Sequence, residues 1–228
     1  MKKTCFSMLF VFVFSVCAFA SQARNIELID LPTANTLTKA ELRCDIKLYP
    51  AGGILTRLYI GIFDKLMIGG AFNVKNLIGT GEIECVLPPK FLGKIRLTDD
   101  AGAMPAISIG YEGEGYLDSP AKGAFISITK EINLNVVFLQ LTGTVYTNEF
   151  DDFAENIDAG AGIAFAITRD FVISGEYDGF IGDNKGHVNF GASYFFNPIQ
   201  IDIEFKYGIG DENINVARIL RIIYISYF

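Results

Sequence analysis

Cysteine, basic residues and histidine are all scarce in this chain, and each scarcity removes a class of protein. There are four cysteines, and two of them, Cys5 and Cys17, fall within the first twenty residues. The remaining pair, Cys44 and Cys85, cannot staple a disulfide scaffold. The spacing places Cys44 mid-strand and Cys85 in a loop, so both are expected to be unpaired. Lys and Arg number 19 against 26 Asp and Glu, a net charge of −7, with no basic cluster. Nucleic acid is thereby excluded as a partner. Beyond residue 20 no apolar run reaches the roughly eighteen residues a membrane helix needs. The lone histidine, His187, limits imidazole chemistry to one place.

The first twenty residues have a composition of their own. Lys2 and Lys3 precede an apolar run from Met8 to Phe19, broken only by Ser15, and Ala18-Phe19-Ala20 closes it. A charged n-region, an apolar h-region and a small-residue cleavage site in that order form a secretory signal peptide. Cleavage after Ala20 or after Ala23 fits. A lipoprotein reading would use Cys17, but Val16 before it is bulkier than a lipobox wants. Residues 1–20 are therefore read as an exported leader that takes Cys5 and Cys17 with it. Residues 21–37 are read as an extended periplasmic segment, and 38–228 as the folded domain.

In that domain hydrophobicity is diluted one residue in two. From 38 to 48, Ala40, Leu42, Cys44, Ile46 and Leu48 alternate with Lys39, Glu41, Arg43, Asp45 and Lys47. A period of two is the mark of a strand with two different faces. The same pattern recurs from Asn156 to Ile167 and from Ile199 to Tyr207. Further strands are expected near 54–63, 66–74, 91–98, 103–112, 124–131, 133–147, 171–180, 187–196 and 216–228. Those at 54–63 and 216–228 are apolar on both faces, which leaves their facing open. Each is read as long enough to cross a bilayer when tilted, since about 9 to 11 residues suffice. The connections then alternate. Short ones at 64–65, 99–102, 130–132, 169–170 and 197–198 are read as periplasmic turns. Long ones at 75–90, 113–123, 148–155, 181–186 and 208–215 are read as external loops. The fold class is all-β: a transmembrane antiparallel up-and-down β-barrel of about twelve strands.

The chain ends in Tyr227-Phe228, and a terminal aromatic on a last strand resembles the signal by which outer-membrane assembly machinery recognises its clients. Ser226 departs from the aromatic or apolar residue usual two positions earlier. Over nearly the whole mature length the chain resembles bacterial outer-membrane β-barrel proteins. The stretches Asp30–Arg43, Leu48–Gly53 and Ile78–Gly81 are similar to uncharacterised barrels of the YjbH-like kind. These resemblances imply outer-membrane location, lipid and the assembly machinery as partners, and no catalytic residues.

Candidate chemistry is thin. His187 begins a strand at the external rim, with Asn189 and Ser193 on its face and Asp178 or Asp183 within plausible reach. Outer-membrane phospholipase and omptin proteases keep catalytic groups at such a rim, so a lipid or peptide hydrolase using His187 is the alternative function. No local motif selects a nucleophile. Asp99-Asp100 and the group Glu149, Asp151, Asp152 and Glu155 lack calcium-loop spacing. Gly79-Thr80-Gly81 and Gly160-Ala161-Gly162 lack the helix a phosphate cradle requires. No metal or cofactor is expected. Lumen-lining candidates are Lys39, Glu41, Arg43, Asp45, Lys47, Arg57, Lys94, Arg96, Glu176, Asp178, Asp202, Glu204 and Lys206. Their mixed signs predict an ion-pair ladder at the seam, and hence either a plugged interior or a narrow, weakly selective pore for small solutes.

Overall fold

Alternation along each strand carries the architecture. The computed structural model describes residues 25–117, 121–134, 137–147, 156–181, 186–209 and 216–228. Residues 1–20, expected to be a leader, and the acidic group at 149–155 lie outside them. The strands are β1 (Glu41–Tyr49), β2 (Gly53–Phe63), β3 (Leu66–Lys75), β4 (Glu84–Thr98), β5 (Ala106–Glu112) and β6 (Gly123–Asn133). They continue with β7 (Phe138–Thr147), β8 (Ile157–Ala166), β9 (Phe171–Asp178), β10 (His187–Phe196), β11 (Ile199–Gly208) and β12 (Val216–Tyr227). Each pairs antiparallel with its sequence neighbours, and β12 returns to β1 with Lys47 opposite Arg221, so the sheet closes on itself. Closure removes both sheet edges.

The facing is inside-out relative to a soluble protein. In β1, Glu41, Arg43, Asp45, Lys47 and Tyr49 are buried in the interior, while Leu42, Cys44, Ile46 and Leu48 face outward. Leu58, Phe91, Ile126, Phe190 and Ile203 are each at least half exposed on the outer wall. An apolar outer band around a polar interior is the arrangement of a barrel immersed in lipid. For the two strands whose facing was open, register decides. Leu55, Arg57 and Tyr59 of β2 and Ile219, Arg221 and Ile223 of β12 point inward.

Several boundaries differ from the sequence reading. β1 begins at Glu41, because Thr38–Ala40 form a turn in which the Glu41 carboxylate accepts from the Thr38 amide at 2.9 Å and hydroxyl at 2.8 Å. β4 begins at Glu84, seven residues early, because it pairs Cys85 with Val74 in a hairpin extended past a bulge. Cys85 therefore lies in a strand and not a loop; it and Cys44 are both free thiols. β6 runs on to Asn133, and β7 starts only at Phe138.

The largest difference concerns the segment read as extended and periplasmic. Residues 25–37 lie inside the barrel, every one of them buried. The chain enters beside Asp64, where the Thr36 hydroxyl donates to the Asp64 carbonyl at 3.1 Å, and rises along the lumen. It doubles back through a tight hairpin in which Glu27 pairs with Pro32 and the Leu28 amide donates to the Leu31 carbonyl at 2.9 Å. The physical reason is composition. Ile26, Leu28, Ile29, Leu31 and Leu37 would each forfeit about 1.5–3 kcal/mol of burial if left in water. The barrel interior supplies partners for the polar residues between them.

Candidate functional site

Closure brings β1, β12 and β11 side by side, and their inward residues form one ionic network. Arg221 Nε donates to both carboxylate oxygens of Asp45 at 2.9 Å, and its guanidinium also reaches Glu27 and, at 3.5 Å, Glu204. Arg57 bonds Glu27 at 2.6 Å and Glu112 at 3.1 Å. Lys47 bonds Asp30 at 2.8 Å, and Lys206 pairs with the other oxygen of the same carboxylate. Arg43 stands 3.8 Å from Asp45, and Asp202 lies at the edge of the network, 4.0 Å from Arg221. The expected ladder at the seam is present, but two of its carboxylates, Glu27 and Asp30, come from the inserted segment.

Burial by itself opposes the ionised form of both carboxylates. For Asp30 the adjoining Lys206 and Lys47 ammonium groups outweigh burial and hold the carboxyl well below the usual range. For Glu27, Arg221 and Arg57 do the same more modestly. Both segment carboxylates are therefore charged ligands of the wall.

The wall also reads the segment's main chain. The Glu176 carboxylate accepts from three successive amides, Ile29 at 3.0 Å, Asp30 at 2.8 Å and Leu31 at 3.1 Å. Lys94 Nζ donates to the carbonyls of Ile26, Thr33 and Asn35 at 2.5, 2.9 and 3.0 Å. Ser127 and Thr144 hydroxyls donate to the Pro32 carbonyl at 2.9 and 2.8 Å. The Ala34 amide donates to the Thr129 hydroxyl at 2.8 Å. Buried main-chain groups need partners, and here side chains of the barrel provide them.

Opposite the ionic seam the wall recedes. At Gly160 an added Cβ would lie 2.6 Å from Leu31 Cδ1, and at Gly162 it would lie 2.4 Å from Leu28 Cδ1. At Gly191 it would stand 3.3 Å from Ile29 Cγ1. The Gly160-Ala161-Gly162 pair is thus the hollow that receives the hairpin's leucines, a close approach that any side chain would crowd. An apolar cluster forms around Ile26 and Leu37 with Leu55, Tyr59, Leu92 and Ile219. The interior is consequently a packed core with an ionic face.

From the opposite mouth, residues 113–117 of the connection after β5 fold inward. Tyr116, buried, donates its hydroxyl to Asp30 at 2.7 Å, and its ring lies 5.0 Å beneath Lys47 Nζ. Lys122, at the far side of that connection, donates to Asp178 at 2.8 Å. The N-terminal segment and this loop meet at Asp30, so the lumen is filled from both ends.

Most of the expected lumen residues are in it: Glu41, Arg43, Asp45, Lys47, Arg57, Lys94, Glu176, Asp178, Asp202, Glu204 and Lys206 are all buried. Lys39 is not. It is exposed in the turn before β1, where its amide donates to Asp64 at 3.1 Å. Arg96 sits at the mouth beside Asp99 at 3.2 Å, partly exposed. Asp99 also pairs with Lys65 at 2.6 Å, and Asp100 with Lys130, so these acidic residues are bound by cations. Phe228 is exposed, its amide tied to the Ala40 carbonyl at 3.1 Å. Arg221, Glu27, Asp30, Glu112, Tyr116 and Lys122 escaped the sequence reading. Arg221 alone carried a signal, as a charge at the centre of an apolar strand.

His187 does contact Asp178, its amide at 2.8 Å and Nδ1 at 3.2 Å from Oδ1. Among the described residues no serine or cysteine is hydrogen-bonded to the imidazole, so the pair lacks a nucleophile there. No cluster suited to a metal occurs among the described residues.

A closed twelve-strand barrel, apolar without and ionic within, defines a transmembrane β-barrel protein. No family model matches the chain and no curated protein does, so the YjbH-like resemblance finds no support there. Among solved structures it is similar to the outer-membrane protein Omp33 of Acinetobacter baumannii, at 10% identity over 82% of this chain and 97% of that one, TM-score 0.49. It is also similar to an outer-membrane channel of Pseudomonas putida F1, at 11% identity over 85% and 98%, TM-score 0.43. Both are outer-membrane barrels; neither reaches a TM-score of 0.5, and the functional reading rests on this chain's own residues.

Proposed function

We propose that this chain is an integral outer-membrane barrel that serves as a narrow channel for small solutes, held shut at rest by residues 25–37. The observation that carries this is the chemistry of the contact between wall and segment. A permanently dry interior gains little from buried ion pairs, because apolar side chains of the same volume pack as well or better. Yet Lys47, Arg57, Lys94, Glu176, Lys206 and Arg221 all direct charge at a segment that lies outside the strands of the sheet. Those groups would be solvated at once if the segment withdrew and water followed. The short turn Thr38–Ala40 is the point about which it would leave, toward the mouth where β12 ends. That mouth is read as periplasmic, and the leader as the route of export.

Planar-bilayer conductance tests the proposal. The native protein is expected to be closed most of the time, and the full chain carrying Glu27→Gln and Asp30→Asn to open often. A folded double variant that remained silent would overturn the channel and leave a sealed scaffold.

A further inference from the structure

We infer that the lumen is a recognition site for an acidic peptide, which the chain's own residues 25–37 occupy in cis and a separate peptide would occupy in trans. The inference deepens the proposed function by naming the ligand class of the same interior.

Three independent sets of contacts point to a peptide rather than to a small anion. Backbone amides are read by a carboxylate: Glu176 accepts from Ile29, Asp30 and Leu31. Backbone carbonyls are read by an ammonium, since Lys94 spends its contacts on Ile26, Thr33 and Asn35 and pairs with no carboxylate within 4 Å among the described residues. These contacts belong to any chain in that conformation, whatever its side chains. Side-chain selection is then added by two carboxylate sockets, Arg57 with Arg221 for Glu27 and Lys47 with Lys206 and Tyr116 for Asp30. A third element of shape is the hollow at Gly160 and Gly162, which receives Leu31 and Leu28 and would be closed by a wall side chain. The preferred ligand is a tight hairpin with two carboxylates three residues apart and leucines beside them. A dicarboxylate would satisfy the sockets but would leave Glu176 and Lys94 facing no backbone.

The test uses the full chain in detergent and a fluorescent synthetic peptide of residues 25–37, with binding read by anisotropy. Leu28→Ala with Leu31→Ala in the full chain loosens the resident segment while leaving the wall intact; Glu27→Gln with Asp30→Asn does so by another route. Saturable binding to both variants is expected, at least about tenfold tighter than to the native protein, whose own segment competes. A peptide carrying the glutamine and asparagine replacements should bind at least about tenfold more weakly, as loss of charged hydrogen bonds dictates. No saturable binding to either folded variant overturns the inference, as does displacement of the peptide by succinate at concentrations that merely fill a carboxylate site. Conductance separates it from the channel: an opening variant that ignores the peptide leaves the channel standing and removes the receptor, whereas a silent variant that binds it does the reverse.

Discussion

Arg221 on β12 and Asp45 on β1 lie across the junction that turns an open sheet into a barrel, and the guanidinium holds both oxygens of that carboxylate. The same guanidinium reaches Glu27 of the inserted segment, so the closure of the sheet and the filling of its interior share one cation.

Replacing Arg221 with Met leaves Asp45 and Glu27 buried with fewer cations. Breaking one side of a buried charge network costs about 3–5 kcal/mol. The expected result is a folded barrel whose heat-dependent gel shift moves to a clearly lower temperature. Adding Asp45→Asn should recover part of the loss, because a neutral amide no longer demands a counter-charge, and the double-mutant cycle measures the coupling.

Filling the hollow should eject the hairpin without removing any charged group. Gly162→Ala sets a methyl 2.4 Å from Leu28 Cδ1, 2.9 Å from Glu176 Cβ and 3.0 Å from the Gly175 carbonyl, so the wall cannot yield freely. A cysteine placed at Ile29, in a chain lacking Cys44 and Cys85, is expected to be shielded from a maleimide. It should react several-fold faster once Gly162→Ala is added, while the barrel itself stays folded.

Acid should loosen the segment. Asp30 and Glu27 are held below their ordinary range in the folded protein. A depressed carboxyl contributes stability that is complete above the unfolded value, about 4, and is lost as pH falls through the folded value. Through these two groups, seating of the segment, read by maleimide access at position 29, is therefore expected to weaken as pH falls below about 4. Asp30→Asn should raise access at neutral pH and flatten that dependence.

His187→Ala should change little. Asp178 keeps Lys122 and the main-chain amide of residue 187, each at 2.8 Å, and loss of the one remaining imidazole hydrogen bond costs about 0.5–1.5 kcal/mol. Thermal stability should stay within that range, and any lipid or peptide hydrolysis the protein shows should be unaffected. A loss of hydrolysis in this variant would restore the enzyme reading.

Much of the barrel was legible because a period of two is a local property. Glu41, Arg43, Asp45 and Lys47 announce an inner face regardless of what they meet, and eleven strands fall within a few residues of their expected places. Only β4 runs well past its forecast, since the pairing of Cys85 with Val74 depends on a bulge at Ala71–Asn73 that no pattern in Cys85–Lys90 encodes. Facing was illegible where both faces are apolar, as in β12, and there Arg221 took its meaning from Asp45, 176 residues away.

The alternation and the turns are written in neighbouring residues, and for them sequence alone determined the class of fold. Residues 25–37 carry no period and read locally as an extended linker. Their partners, Lys94, Glu176 and Arg221, lie far along the chain and converge only when the sheet closes. Whether the barrel is empty or filled was therefore decided by tertiary structure, because burial of Glu27 and Asp30 becomes favourable only where the wall brings two or more cations to each.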